Sequence, residues 1–279
     1  MTTAIEVRDL RKHYGDSAAV DGIDLEIRQG EVFALLGPNG AGKSTTVEIL
    51  EGFRQRTGGD VSVLGHDPAK PTRAWRERIG IMLQTTSDQL ALTPREAITH
   101  MGRLYSSPRD TDELLAAVGL EDKADTKPRT LSGGMRRRLD VALAVVGTPE
   151  LVFLDEPTTG FDPEARRQFW ELIESLREGG TTIVLTTHYL DEAEHLADRI
   201  AIIAAGKLAA LDTPSGLRAR ATDSVVTWRE NGEQRRAVTD TPTATLRSLL
   251  SGTDGEVEDL SVTRPTLEDV YFQIIGGVE

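Results

Sequence analysis

The chain has no cysteine among its 279 residues. Disulfides and thiolate metal sites are therefore excluded. It also lacks any long apolar run: the longest, residues 141–147 and 200–206, are seven residues each. A helix that crosses a bilayer needs roughly 20, so the chain is not expected to span a membrane by itself. The opening MTTAIEVRDLRKHYG has no apolar segment of the kind a secretory signal carries. Basic charge is short as well, with 32 Lys and Arg against 45 Asp and Glu and a net charge of −13. That balance argues against broad nucleic-acid binding and against spreading over anionic lipid. Aromatic residues make up only 5% of the chain, yet hydrophobic content is 38%. This suffices for one large core, or for a domain of about 200 residues with a small appendage.

Against these absences one stretch stands out, EVFALLGPNGAGKSTTVEILE, residues 31–51. Val32 to Leu36 is a short, wholly apolar run and reads as a strand buried on both faces. Gly37-Pro38-Asn39-Gly40-Ala41-Gly42-Lys43-Ser44 then fits G-x-x-x-x-G-K-[ST], and Thr45 to Phe53 reads as a helix. Strand, glycine-rich loop and helix start are the context a phosphate-binding loop requires. Glycines let the backbone curl until its N–H groups face phosphate oxygens. The helix start adds unpaired donors. Lys43 brings a full charge to the β- and γ-phosphates, and Ser44 offers a hydroxyl to Mg²⁺.

Upstream, Ile5–Val7 and Ile23–Ile27 read as short strands, the second alternating apolar and acidic. Tyr14, between them, is either a turn residue or a platform for a flat base. Ile79–Leu83 is a further strand that ends in Gln84, where open α/β sheets hold ligands. Residues 86–150 contain helices, among them Pro94–Tyr105 and Thr111–Val118, and no convincing strand, so they read as a helical insertion. Within it, Ser132-Gly133-Gly134 precedes a helix that Ser132 can cap, a second candidate anion site. Arg136, Arg137 and Arg138 read as a solvated helix face.

Leu151–Leu154 is another core strand, closed by Asp155 and Glu156. Adjacent carboxylates there are costly unless used or paired. Asp155 fits a Mg²⁺-holding acid and Glu156 is placed to polarise a water. Asp162 belongs to a turn that starts a helix at Pro163. A third core strand, Thr182–Leu185, leads to Thr186-Thr187-His188. Beyond residue 215 the texture changes to short strands and helices, read as a small α/β appendage joined at Pro214–Gly216.

GPNGAGKST, IMLQ, LSGGM, LVFLDEP, TGFDP and TTH follow one another in that order. The series resembles the nucleotide-binding subunit of an ATP-binding-cassette transporter, over about residues 4–215. The resemblance implies an α/β P-loop fold with a mostly parallel core sheet, an antiparallel β subdomain and a helical subdomain. It implies domains at 1–217 and 218–279. It makes Gly37–Thr45 the Walker A loop, Gln84 the Q-loop ligand of Mg²⁺ and neighbour of the membrane partner, and Ser132-Gly133-Gly134 the signature. Asp155 becomes the Walker B acid, Glu156 the catalytic carboxylate, Asp162 the D-loop acid, His188 the switch histidine and Tyr14 the base-stacking ring. Met135 departs from the usual glutamine, so the amide contact of that side chain is lost.

GGMRRRLDVALAVV and PTLEDVYFQIIG resemble the drug-export, daunorubicin-resistance branch of the family. The resemblance therefore implies an ATPase subunit, with ATP and Mg²⁺, on the cytoplasmic face of the cell membrane. It would work through a separate transmembrane permease and pair head to tail with a second copy. Nucleic acid is not an expected partner. Two alternatives stand beside this: a cassette ATPase acting on DNA or ribosomes, and a nucleotide-gated interaction protein without useful turnover.

Overall fold

Two long strands open the chain. β1 (Thr3–Tyr14) and β2 (Ser17–Arg28) pair antiparallel from Thr3↔Arg28 to Tyr14↔Ser17. The short strands expected at Ile5–Val7 and Ile23–Ile27 are thus parts of one hairpin, and Tyr14 stands beside the turn at its tip. The outer parts are not legible as strand in the sequence because their charged residues hide the alternation. Backbone pairing and cross-strand contacts such as Arg11–Asp21, at 2.7 Å, hold them instead. The computed structural model describes residues 2–82, 92–220, 224–230, 232–251 and 256–276. They divide into two units, Met1–Leu211 and Asp212–Glu279.

In the first unit, β3 (Val32–Leu36) is buried along its whole length and leads through the glycine-rich loop into α1 (Lys43–Leu50). β4 (Gly58–Val63) adds to β1 and completes a three-stranded antiparallel sheet, β2-β1-β4. A one-turn helix, α2 (Arg73–Arg76), carries the buried Trp75, whose indole N–H donates to Val63 O at 2.9 Å. β5 (Ile79–Met82) follows. Three helices come next: α3 (Pro94–Gly102), α4 (Thr111–Ala117) and α5 (Gly133–Val145). α3 starts at a reciprocal capping box between Thr93 and Glu96.

β6 (Leu151–Asp155), α6 (Pro163–Glu178), β7 (Thr182–Thr186), α7 (Leu190–Leu196), β8 (Arg199–Ala204) and β9 (Lys207–Asp212) complete the unit. Together they make a six-stranded sheet in the order β5-β6-β7-β3-β8-β9. The pairs β5–β6, β6–β7, β7–β3 and β3–β8 are parallel. Runs such as VFALL and TIVLT are buried throughout because both faces of a parallel sheet are covered. α6 covers part of it with Ala165, Phe169, Leu172, Ile173 and Leu176, a stripe at helical spacing. β9 returns through Ala205-Gly206, both at positive φ, as a two-residue hairpin turn demands. Parallel strands share one direction, so β3, β5, β6 and β7 present their carboxyl ends along one rim, where such sheets hold ligands.

The second unit has β10 (Ser224–Glu230) between β11 (Glu233–Thr239) and β12 (Ser261–Thr263), all antiparallel. α8 (Pro214–Arg220), α9 (Pro242–Ser251) and α10 (Leu267–Gly276) accompany the sheet, with Leu217, Val226, Leu267 and Val270 buried. Pro214–Gly216, expected as the joint to the appendage, is the first turn of α8. Proline at that position suits a helix start, where its missing N–H would have no partner.

Candidate functional site

The loop after β3 is shaped by backbone crowding. A Cβ at Gly37 would lie 2.2 Å from Ile203 O, and one at Gly42 would lie 2.4 Å from Ala19 O. Gly42 also sits at φ 103°, as the N-cap of α1. Only a residue without a side chain lets the loop pass there. Asn39, Gly40 and Ser44 face solvent, Pro38 and Thr45 are half-buried, and Ala41 is buried. The first N–H groups of α1 have no carbonyl one turn back and point out of the helix start. Lys43 is buried, and its ammonium donates to Gly37 O at 2.7 Å and Pro38 O at 3.1 Å. Burial lowers its pKa, opposed by the charges of Glu156 and Asp155. The sole full positive charge of the loop is therefore held folded over it, opposite two acids.

Those acids end β6. Thr186, at the end of neighbouring β7, donates its hydroxyl to Asp155 Oδ1. The same hydroxyl and the Thr186 carbonyl both accept the Glu156 N–H, each at 3.1 Å. Glu156 has φ +47°, a conformation that costs an ordinary residue about 1 kcal/mol or more. Its Oε2 lies 3.6 Å from His188 Nδ1 and 3.4 Å from Thr159 Oγ1. Lys43, Asp155, Glu156 and His188 thus meet at one rim of the sheet. Thr186 belongs with them; in the sequence a threonine at the end of an apolar strand reads only as a strand residue.

Ser132 caps α5 and accepts the Met135 N–H at 3.2 Å. Ser132 and Gly133 are exposed, and Gly134 is half-buried beside Phe161. Among the described residues, no hydrogen bond or ion pair joins Ser132–Met135 to residues 37–45. The expected solvated face of Arg136–Arg138 does not hold for Arg137. It is only 7% exposed. Its Nε donates to Pro157 O at 3.2 Å and its Nη2 to Glu156 O at 2.9 Å and to Asp155 O. Burial lowers its pKa, and Asp140, Asp155, Glu156 and Glu192 oppose the shift. Helical spacing carries the signal that was missed, since Arg137, Asp140, Val141 and Ala144 form one buried stripe. Arg136 and Arg138 are half-buried.

Two other predicted site residues, Tyr14 and Asp162, lie apart from this cluster. Tyr14 is 44% exposed at the hairpin tip, with Lys12 Nζ 5.0 Å and Arg54 Cζ 5.4 Å from its ring. Asp162 caps α6, accepting from Glu164 N at 3.0 Å and Ala165 N at 2.8 Å. Gln84 lies outside the described residues. Magnesium fits the donors at hand. Ser44 and Asp155 offer hard oxygen atoms. This suits an ion that takes one or two protein ligands and completes its shell with phosphate and water.

Glu51 follows α1 and is buried. Burial, with Asp155 and Glu48 nearby, pushes its carboxyl up to about 8. It sits at the wall of a groove of about 440 Å³ that Phe53, Ile79, Ile81, Met101 and Leu143 also line.

With this geometry in hand, three comparisons bear on the chain. The family model described as "ABC transporter" matches residues 20–159. The daunorubicin/doxorubicin resistance ATP-binding protein DrrA of Streptomyces peucetius is 41% identical, over 99% of this chain and 93% of that protein. A solved ATP-binding subunit of an ABC transporter superposes with a TM-score of 0.71 at 28% identity, covering 78% of this chain and 92% of that one. A dimeric bacterial ABC transporter cassette superposes with a TM-score of 0.66 at 26% identity, covering 75% and 98%.

The raised Glu51 pKa fixes a pH dependence. Between about pH 4.5 and 8 the folded chain keeps a proton that the unfolded chain has lost. Stability therefore falls as pH rises through that window and levels off above it. Glu51→Gln removes the penalty. It should gain on the order of 2–4 kcal/mol over the native chain at pH 8.5 and little near pH 4. Urea unfolding of both chains at the two pH values checks this.

Proposed function

Because this chain belongs to the ABC transporter family of ATP-hydrolysing cassettes, we propose that it powers export through a separate transmembrane permease, as one of two copies that close on ATP. One observation carries this reading: Lys43, Asp155, Glu156 and His188 converge at the carboxyl ends of β3, β6 and β7. In it, the Gly37–Thr45 backbone and Lys43 hold the triphosphate, and Tyr14 stacks on the base. Ser44 and Asp155, with Gln84, would hold magnesium, whose charge offsets that of the β- and γ-phosphates. Glu156 orients the attacking water and accepts its proton, while His188, beside Glu156, senses the γ-phosphate.

Ser132 and Gly133 are exposed and Gly134 is half-buried, and among the described residues no hydrogen bond or ion pair joins them to their own phosphate loop. Their role in this reading is to meet the γ-phosphate of ATP held by a second copy. A two-fold pair of identical chains completes two such sites. The dimeric cassette that this chain resembles supports that arrangement. Asp162 lies at the turn between the two half-sites. Hydrolysis removes the shared phosphate, and the copies part.

Among the described residues, no helix is long and apolar enough to cross a membrane. In this reading a separate partner turns the parting into transport, and the chain works at the cytoplasmic face of the membrane. The groove lined by Phe53, Ile79 and Ile81 lies at β5, the strand that leads to Gln84. Phe53 is 76% exposed there, which suits an apolar segment of the permease. The similarity to DrrA supports a drug or an antibiotic as cargo.

Glu156→Gln should lose turnover by about a hundredfold or more, still bind ATP, and accumulate as an ATP-dependent dimer in sedimentation. Native turnover in that variant, with binding unchanged, would remove Glu156 from its role. Lys43→Ala should weaken ATP binding at least about tenfold by nucleotide titration. Phe53→Asp, placed in cells with the permease, should lose drug resistance while the purified variant keeps native ATP affinity. Unchanged resistance would contradict the docking site.

A further inference from the structure

Arg137 is the unexplained feature of the site. An arginine on a helix normally reaches solvent, yet this one lies buried with its planar fork on the carbonyls of Asp155, Glu156 and Pro157. These three peptides are the turn that carries Glu156 at φ +47°. From the other side, Thr186 holds the same turn, through the Glu156 N–H and the Asp155 carboxylate. A strained conformation persists where its surroundings over-determine it. Here β7 fixes the donor side of the strained peptide and α5 fixes its acceptor side.

α5 is also the helix that Ser132 opens. Arg137 lies five residues beyond that cap, about 7.5 Å along the same rigid rod. No joint separates the two, since Ser132 caps the helix and residues 133–145 are continuous. A shift of the helix start therefore moves the guanidinium, and with it the peptides that aim Glu156.

We infer that Arg137 is a positioning residue, which ties the Ser132 end of α5 to the orientation of Glu156 in the same chain. The inference rests on the reading above, in which Ser132 meets ATP held by the opposite copy. Under it, occupation of one site sets the catalytic acid of the other. The partner's nucleotide pulls on the helix start, and Arg137 hands the movement to the Asp155–Pro157 turn. Lysine could not replace it, because a single ammonium cannot span three carbonyls in a plane.

The test is a double-mutant cycle in the full-length chain. Arg137→Met keeps the bulk and removes the charge; Arg137→Lys keeps the charge and loses the fork. Each is made in the native chain and in Glu156→Gln. The expected result in the native chain is a fall in kcat of about thirtyfold or more, with the ATP dissociation constant within about threefold of native. In the Glu156→Gln background the same changes should leave the residual turnover nearly unaltered, since a residue acting through Glu156 has nothing left to position. Equal losses in both backgrounds would overturn the inference, as would native kcat in either variant. Loss of ATP binding together with turnover in both variants would mark Arg137 as a purely structural residue and would also overturn it. Glu156→Gln alone tests the part of the underlying reading that makes Glu156 the catalytic acid: native turnover there refutes that role and the inference with it.

Discussion

Everything at the rim depends on a backbone that comes within van der Waals reach of two other segments. Gly37 lies against the carbonyl of Ile203 on β8, and Gly42 against that of Ala19 on β2. The loop is thus wedged between the parallel sheet and the antiparallel hairpin, and its curl is imposed by both. A fixed curl keeps the N–H groups of the α1 start converged before any ligand arrives, so little ordering remains for binding to supply. Lys43, bonded to Gly37 O and Pro38 O, belongs to the same preorganisation.

Charge balance around that loop extends further than the residues that would touch a nucleotide. Lys43 faces Asp155 and Glu156. Behind them Arg137 faces Asp140, Asp155, Glu156 and Glu192. Glu192 is wholly buried, and burial raises its pKa, opposed by the Thr187 and Thr158 hydroxyls. Glu51 adds a further buried acid at the far end of α1. A buried charge without a partner is costly, and these layers answer that cost in different ways. Arg137 answers it for the acids of the β6 turn, whereas Glu51 answers it by keeping its proton at neutral pH.

Sequence alone located the rim but not its supports. The glycine-rich loop, the Asp155–Glu156 pair and His188 were legible because each follows an apolar run that can only be a buried strand, and each carries residue types costly to place there without use. The core strands and the Ser132 cap were legible for the same local reasons. The length of the β1–β2 hairpin was not, because charged cross-strand pairs mask its alternation. Pro214–Gly216, read as a joint, opens α8, since proline marks a helix start as readily as a break. Arg137 and Thr186 were missed for a different reason. Their roles lie in contacts between α5, β6 and β7, which are distant in sequence, and an arginine beside two others reads as solvent-facing unless helical spacing is checked.

In the proposed mechanism, half of each nucleotide site comes from another copy of the chain. The absence of cysteine permits a direct measurement of that claim. One preparation carries Asn39→Cys and another Gly133→Cys, both exposed positions, and a Cβ at Gly133 meets nothing within 4 Å. The two are mixed in the Glu156→Gln background and treated with a short bismaleimide. The account predicts cross-linking between the unlike chains that appears with magnesium and ATP and is far weaker without nucleotide. No cross-link at saturating ATP, or the same yield with and without it, would contradict the shared site.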